Sequence, residues 1–243
     1  MARNEMTVKE KKDRYKVAYI PGDDTGFDVM EANMIVMEAL GAPIDWVRTD
    51  AGWCMWEQEG DTVPKKTWDT LRSTDAALMA AITSKPGVKG FKSAILQMRQ
   101  TFELYVNLRP AKSMPGVPSM RDDIDIVTFR ENTEGLYSAV EWRPVPDELY
   151  DLHPNMARFK GKEDVAASVR VFTREGCERI IRAAFKYADE NGLNQMTVVE
   201  KPNVIRLTSG MFVEVAEEVA KEYPNIEIEF TTAPTDQFNQ SNP

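Results

Sequence analysis

Histidine and cysteine are scarce in this sequence, which has one histidine, His153, and two cysteines, Cys54 and Cys177. A single histidine, followed by proline in a loop-like stretch, excludes a histidine-rich metal site and a Ser/His/Asp triad. Two distant cysteines in a chain with no apolar segment at its start predict reduced thiols and a cytoplasmic protein.

Long apolar runs and an excess of positive charge are also lacking. No run approaches the roughly 20 residues of a membrane-spanning helix, so we expect no membrane partner. The formal net charge of −9 argues against general binding to nucleic acid, which requires clustered positive charge. Hydrophobic residues at 42% and charged residues at 28% are typical of a globular protein and exclude disorder or a fibrous repeat.

One segment reverses this acidic balance. Residues 85–112 contain six lysines and arginines against a single acidic residue, Glu103. Such a segment concentrates positive potential on a small anion without making the whole protein basic. We therefore expect a local anion pocket.

Strand and helix patterns alternate along the first half of the chain. This alternation favours a largely parallel sheet covered by helices. A turn rich in glycine and aspartate follows the first strand. The predicted elements are a strand at 15–20, a helix at 27–40, a strand at 43–50, a helix at 63–73 and a buried strand at 76–82.

The second half contains one clear amphipathic helix. Thr173 is a plausible N-cap, and apolar residues recur from Cys177 to Ala188 at helical spacing. Asn191 and Gly192 predict its C-terminal end. Two further strands are predicted at 196–200 and 226–230, with a helix between them.

The stretch "IDIVTFRENTEGLYSAVEW" joins an apolar strand pattern to a polar run. Two interpretations are open. The polar residues and the glycine form an ordinary exit loop, or the carboxyl end of a strand directs Arg130 and Tyr137 toward an anionic substrate.

Four segments stand in one order: "KGFKSAILQMRQTFELYVNLRPAKSMPGVPS", the stretch with "RENTEGLY", the helix after Thr173, and "VVEKPNVIRLTSGMF". From about Tyr15 onward the chain resembles the metal-dependent β-decarboxylating dehydrogenases, the family of isocitrate, isopropylmalate, homoisocitrate and tartrate dehydrogenases. The resemblance implies an α/β fold with a large doubly wound domain, incomplete here, and a smaller α/β dimerisation domain. Residues 1–113 would belong to the large cofactor and substrate domain, and residues 114–243 to the small domain.

The resemblance also implies the substrate site. A 2-hydroxy dicarboxylate carries at least two negative charges, and planar guanidinium groups bind carboxylates through paired hydrogen bonds. By similarity, Arg99, Arg109 and Arg130 clamp the substrate, with Ser93 beside it.

The resemblance assigns the remaining roles as well. Tyr137 protonates the enolate carbon after carbon dioxide leaves, and Lys201 handles the hydroxyl proton during hydride transfer to NAD or NADP. Asn203 and Ser84 lie near the nicotinamide. The family is at least dimeric, so we expect a homodimer or hetero-oligomer in which Lys201 acts across the interface.

Each of these residues also has a plain structural interpretation. Arg99 has Glu103 four positions on, as in an ordinary helical ion pair. Arg109 before Pro110 marks a strand exit, and Tyr137 is a half-buried aromatic residue. Lys201 in a loop is solvated, as most lysines are.

The sequence departs from the family at two loops and one specificity position. The first loop reads "GDDTGFD" where the family has "GDGIGPE", and Asp24 replaces a glycine that reaches positive φ freely. Ser84, Lys85 and Pro86 replace a Thr-Thr-Pro run, so Lys85 meets a carboxylate or phosphate or is solvated. Ile95 stands where isocitrate enzymes commonly have asparagine, and the substrate stays open.

The family holds Mg²⁺ or Mn²⁺ with aspartates from a region that would begin about where this sequence stops. Hard cations require such oxygen ligands. Aligning the final "NP" puts Ala233 at the first ligand position and leaves Asp236 as a substitute, with the other ligands absent. We therefore expect a truncated form that lacks the C-terminal third, completed by more chain or by a partner.

Two functions follow from this pattern. The first is NAD(P)-dependent oxidative decarboxylation of a 2-hydroxy di- or tricarboxylate of the isocitrate, isopropylmalate, homoisocitrate or tartrate/malate type. The alternative is a non-catalytic regulatory or partner subunit that binds a carboxylate. A plain nucleotide-binding module is disfavoured by the degenerate glycine loop.

Overall fold

The computed structural model describes residues 11–85, 87–88 and 90–232. Asp236 and Ala233 lie outside these residues. The chain divides into two compact units, Met1–Met98 and Arg99–Pro243. The division falls earlier than the boundary at 113/114 suggested by the sequence, because the strand Val106–Lys112 pairs within the second unit. The assignment of the two parts to a cofactor domain and a dimerisation domain stays a prediction. No helix in the described part of the chain is long and apolar enough to cross a membrane.

The first unit contains a parallel sheet in the order β2-β1-β3. The three strands are β1 (Tyr15–Ile20), β2 (Ile44–Arg48) and β3 (Ala76–Met79). Central β1 is the buried strand and places Val17, Ala18 and Ile20 in the core. The prediction that the third strand is buried was wrong, because β3 lies at the edge of this sheet and most of its residues are exposed.

The apolar periodicity predicts the burial of the first helix only in part. In α1 (Thr25–Ala39), Met30 is buried and Met34 and Met37 are half-buried, whereas Phe27, at the same helical spacing, is 45% exposed. Pro64 precedes the helix Lys65–Arg72, as predicted, and the helix Trp53–Glu59 was not predicted. The helices are α1 (Thr25–Ala39), α2 (Trp53–Glu59), α3 (Lys65–Arg72) and α4 (Ala94–Thr101), the last of which contains the division between the units.

The second unit pairs its strands two by two. Strand β4 (Val106–Lys112) is antiparallel to β5 (Asp125–Glu131), and β6 (Gly135–Trp142) is antiparallel to β7 (Ala167–Val171). Strand β8 (Gln195–Val199) is parallel to β9 (Glu227–Thr231). The parallel sheet predicted for the first half of the chain is confirmed in the first unit. The antiparallel pairing of β4 to β7 was not predicted. Antiparallel strands need no helical crossover, whereas the helix Arg206–Ala220 provides one between β8 and β9.

The core of the second unit surrounds α7 (Arg174–Glu190). Buried residues of this helix pack with β8 and with α8 (Arg206–Ala220). The predicted caps are confirmed, since the Thr173 hydroxyl accepts a hydrogen bond from the Gly176 amide and Gly192 has φ of 66° after the last turn. Two short helices, α5 (Asp147–Leu152) and α6 (Pro154–Ala157), complete the unit, and His153 caps α6 by accepting a bond from the Asn155 amide.

Candidate functional site

The strands β5 and β6 bring Arg130 and Tyr137 together. Arg130 is the penultimate residue of β5, and Tyr137 is the third residue of β6. The chain reverses between them through Gly135, which has φ of 66°. A Cβ atom at Gly135 would lie 2.9 Å from the Phe172 ring, so both the backbone angle and the space require glycine.

Two guanidinium groups flank the phenol ring of Tyr137. Arg130 donates a hydrogen bond from Nη2 to the Tyr137 hydroxyl, and its guanidinium carbon lies 5.0 Å from the ring centroid. The guanidinium carbon of Arg99 lies 5.8 Å from the same centroid. The side chain of Gln100 donates to the Tyr137 carbonyl oxygen at 3.4 Å. This cluster places two positive charges beside one phenol ring, with Arg130 at its hydroxyl group.

The charges of Arg99 and Arg130 are not neutralised by carboxylates. In the described part of the chain, neither guanidinium forms an ion pair. Glu103 lies beyond the end of α4 with φ of 49°, so the helical pair with Arg99 does not form. Arg130 is exposed and Arg99 half-buried, which leaves both able to meet an anion from solvent.

The register of β4 and β5 places Arg109 on the same face of the strand pair as Arg130. Asn107 is directly opposite Arg130, and Arg109 is opposite Thr128. Residues two apart on a strand share a face, so Arg109 and Arg130 are diagonal neighbours across the ribbon. Asn107 lies between them and accepts a hydrogen bond from Arg109 Nε at 3.1 Å. Arg109 thus has an ordered position without a carboxylate partner among the described residues.

The turn between Arg130 and Tyr137 is held by side chains to which sequence reasoning gave no role. Glu131 accepts bonds from the backbone amides of Thr133 and Glu134, and it pairs with Arg179 of α7. Glu134 accepts from the amide and the hydroxyl of Thr173 at the start of α7. The signal was the motif "RENTEG" itself, whose four central residues are all polar.

Lys201 and Asn203 lie elsewhere in the second unit, in the loop between β8 and α8. Both side chains are exposed. Glu200 fixes this loop because its carboxylate accepts from the Lys201 amide at 3.2 Å and from the buried Ser209 hydroxyl at 2.5 Å. The Lys201 side chain is therefore exposed to solvent. Among the hydrogen bonds and ring contacts of the described residues, none joins Lys201 to Tyr137.

Ser93 and Ser84 belong to the first unit. Ser93 directly precedes α4, and its carbonyl oxygen accepts from the Gln97 amide at 3.1 Å. The Thr62 hydroxyl binds the neighbouring Lys92 carbonyl at 2.7 Å, which holds the start of the helix. Ser84 is exposed in the loop after β3. The amino group of Lys85 lies 4.1 Å from the Trp53 ring centroid, so this lysine packs on an aromatic face.

The first loop is a poor fit for a dinucleotide phosphate. Asp24 adopts φ of 47° and ψ of −117°, in a region that favours glycine, and its carboxylate accepts from the Thr83 hydroxyl at 2.7 Å. The amide of Gly26 is bonded to the Asp23 carbonyl rather than free. A phosphate at the start of α1 would meet the carboxylates of Asp24 and Asp28, and the Gly26 amide is not free to bind it.

Metal ligands and reactive thiols do not add to the site. Within residues 11–85, 87–88 and 90–232, no group of three or more His, Cys, Asp and Glu side chains is placed to hold a metal ion. Burial is the main cause that raises the pKa of both the Cys54 and the Cys177 thiols to about 11. Both cysteines are free and are protonated at neutral pH, which makes them poor nucleophiles.

Comparison with protein families matches residues 16–235 to the model described as "Isocitrate/isopropylmalate dehydrogenase". The chain is 37% identical over 216 residues to the isocitrate/homoisocitrate dehydrogenase of Thermus thermophilus, covering 88% of this chain and 59% of the relative. It is 34% identical over 221 residues to a protein of Schizosaccharomyces pombe named isocitrate dehydrogenase [NAD] subunit 2, mitochondrial, covering 91% and 53%.

The fold agrees with a solved structure. The crystal structure of isocitrate dehydrogenase from Methylococcus capsulatus superposes with a TM-score of 0.79 at 36% identity, over 89% of this chain and 60% of that one. The chain therefore spans between half and three-fifths of the length of these proteins.

Proposed function

This chain belongs to the isocitrate/isopropylmalate dehydrogenase family, and we propose that it forms the carboxylate-binding part of an NAD(P)-dependent enzyme that oxidises and decarboxylates a 2-hydroxy di- or tricarboxylate. The observation that carries this proposal is the cluster of Arg99 and Arg130 around Tyr137. Unpaired guanidinium groups suit carboxylates, because their planar donors bind both oxygens at once.

In the proposed reaction, Arg99, Arg109 and Arg130 bind and orient the substrate carboxylates, and Ser93 contributes a hydroxyl beside them. Lys201 takes the proton of the substrate hydroxyl. The Tyr137 hydroxyl then donates a proton to the carbon that has lost carbon dioxide. The bond from Arg130 to the Tyr137 oxygen supports this donation, since it stabilises the negative charge left on the phenol oxygen.

The cofactors belong to this proposal rather than to the described residues. NAD or NADP would accept the hydride, with Ser84 and Asn203 near the nicotinamide, and Mg²⁺ or Mn²⁺ would polarise the 2-oxo group. The first loop does not fit a cofactor phosphate. No metal-ligand cluster lies within the described ranges. Asp236 stays a prediction outside those ranges.

Association of two chains is the second part of the proposal. The loop that exposes Lys201 continues into Val204 and Leu207, which are 67% and 89% exposed. Strands β6 and β7 expose Leu136, Val169 and Val171. Apolar side chains exposed in this way are typical of contact surfaces. A homodimer or hetero-oligomer in which Lys201 serves the partner's site would cover them. The two free cysteines are compatible with the proposed cytoplasmic location.

A non-catalytic, carboxylate-binding subunit is the alternative function. It is favoured by Asp24 in the first loop, whose backbone angles and carboxylate do not suit a phosphate. Such a subunit would keep the arginine cluster and bind an anion without turning it over.

The deciding experiment mixes the purified chain with Mn²⁺, NAD⁺ or NADP⁺, and isocitrate, homoisocitrate, 3-isopropylmalate, tartrate or malate in turn. Reduced nicotinamide is followed by absorbance, and citrate binding by calorimetry. Turnover supports the dehydrogenase and removes the alternative. Citrate binding without turnover supports the subunit, and the absence of both contradicts the carboxylate-binding proposal.

Substitution at the cluster tests which residues act. We expect Arg109→Ala or Arg130→Met to lower kcat/KM, or citrate affinity, by at least about 100-fold, because a bound carboxylate loses a charged hydrogen-bond partner. Arg158→Met is the matched control, since this arginine lies over Phe159, in a different part of the unit. Near-native constants in Arg109→Ala would show that this residue does not bind substrate.

A further inference from the structure

Four consecutive side chains after Arg130 are all bonded to other parts of the second unit. Glu131 and Thr133 bind Arg179, with the Thr133 hydroxyl also donating to Glu131 Oε1 at 2.6 Å. Asn132 donates to the Leu104 carbonyl at 3.3 Å, and Glu134 binds Thr173. The turn therefore has little freedom of its own, and its shape depends on the elements that it touches.

Arg179 is the residue on which several of these contacts converge. Its Nη2 donates to the Thr133 hydroxyl at 2.6 Å and to Glu131 Oε1 at 3.3 Å. Its guanidinium carbon lies 4.8 Å from the ring centroid of Tyr105, the residue immediately before β4. One side chain thus touches the end of β5, the turn that leads to β6 and the residue before β4. These contacts adjoin the strands that carry Arg130, Tyr137 and Arg109.

The helix that carries Arg179 is firmly anchored. Ile180, Ile181 and Phe185 of α7 are buried in the core of the unit. Arg179 itself is only 27% exposed and its partner Glu131 only 19%, so water competes weakly for this ion pair. A guanidinium group held on such a helix fixes the position of whatever it binds.

We propose that Arg179 is a positioning residue that holds Arg130 and Tyr137 in contact by fixing the turn between β5 and β6. Its effect on catalysis rests on the proposed function, whereas its effect on the Arg130 and Tyr137 contact does not. Arg179 touches neither of these two side chains in the hydrogen bonds and ring contacts of the described residues. It acts through Glu131 and Thr133.

The test compares Arg179→Met with Arg182→Met in the full chain. Arg182 is a matched control because it lies on the same helix and pairs with Glu178 and Glu222 instead. The chain is labelled with 3-fluorotyrosine, and the Tyr137 resonance is assigned by its loss in Tyr137→Phe. The ¹⁹F shift reports the surroundings of the ring, independently of any activity.

We expect the Tyr137 resonance to shift or broaden in Arg179→Met and to keep its native position in Arg182→Met. Arg179→Lys should restore part of the native signal, because lysine keeps the charge but lacks the planar fork. If the chain turns over a substrate, we expect Arg179→Met to lower kcat by about 10- to 100-fold with a smaller change in KM. Thr133→Val provides a second variant, which removes the bonds of the hydroxyl group to Arg179 and to Glu131, should Arg179→Met fail to fold.

Each outcome bears on one proposal at a time. A native Tyr137 resonance in folded Arg179→Met, or in Thr133→Val when the first variant does not fold, overturns the positioning role. Equal shifts in Arg179→Met and Arg182→Met overturn it as well, since the change would then be general. If the unmodified chain neither binds citrate nor reduces nicotinamide, the proposed function fails, and the ¹⁹F comparison still decides the role of Arg179.

Discussion

Asp23 is only 4% exposed and accepts three backbone hydrogen bonds, from the amides of Trp53, Cys54 and Thr83. Burial by itself raises the pKa of this carboxyl, but the three amides and the Cys54 thiol outweigh it, and the net pKa lies below the usual value. A carboxyl group whose pKa is lowered on folding stabilises the protein above its unfolded pKa. That stabilisation is lost as the pH falls through the folded pKa.

We expect Asp23→Asn to lower the free energy of unfolding at pH 7 by about 1–3 kcal/mol, because the amide group leaves buried N–H donors without an acceptor. The difference from the native chain should shrink as the pH falls below roughly 3.9, the unfolded value for aspartate. Urea unfolding at several pH values measures both effects. Asp69→Asn, at an exposed pair with Lys65, serves as the control, and a pH-independent difference would contradict this account.

The residues of the site were predictable from sequence to different degrees. Arg130 and Tyr137 stand out because a polar run with a glycine follows an apolar strand. Their contact was not predictable, because it depends on Arg179, which is 49 positions after Arg130 and carries no local signal. The diagonal placement of Arg109 and Arg130 likewise depends on the register of the two strands, which their sequences alone do not reveal.

Among the elements, α7 was the most predictable and β3 the least. The apolar stripe and both caps of α7 are local, whereas the exposure of β3 depends on its position at the edge of a sheet. The antiparallel pairing of β4 to β7 was missed for a similar reason. A run of apolar residues shows that a strand forms but not the direction of its neighbour.

Substitution of one glycine in α7 and one in α8 tests how closely the start of α7 packs against the turn between β5 and β6. A Cβ at Gly176 would lie 2.3 Å from Glu134 Oε2, whereas a Cβ at Gly210 of α8 would meet nothing within 4 Å. The Glu134 carboxylate is held by Thr173, so displacing it would break the bonds that join the turn between β5 and β6 to α7. We expect Gly176→Ala to destabilise the chain by about 1–3 kcal/mol.

Gly210→Ala should stabilise the chain by about 0.5–1 kcal/mol, because alanine loses less backbone entropy in a helix and finds open space. Thermal unfolding of the two variants beside the native chain measures the contrast. Equal destabilisation by both substitutions would show that the open space at Gly210 is filled, as by a partner chain.

At the scale of the whole molecule, the exposed apolar residues bear on how the proposed active site is completed. Val204 and Leu207 lie three and six positions after Lys201, so a partner that covers them would also approach the Lys201 amino group. In a two-fold dimer each chain would receive Lys201 from its partner and supply its own. Association and activity would then be lost together.

Substitution of Leu207 by aspartate tests this coupling. A charge at an 89% exposed position costs little in the isolated chain but is expensive when an apolar contact buries it. We therefore expect Leu207→Asp to convert a dimer to a monomer in sedimentation experiments with nearly native thermal stability. Leu152→Asp, at a position 75% exposed, should leave the dimer intact. A native chain that sediments as a monomer would contradict the proposed interface.

Exchange between two inactive variants would separate action across the interface from action within one chain. Lys201→Ala and Tyr137→Phe each remove one of the two proposed catalytic groups. If Lys201 serves the partner's site, half of the chains pair as hybrids, in which one site lacks both groups and the other is intact. Mixing equal amounts under conditions of subunit exchange should restore about a quarter of the native activity. If both groups act within one chain, every site in the mixture lacks one group, and activity stays at the level of the separate variants.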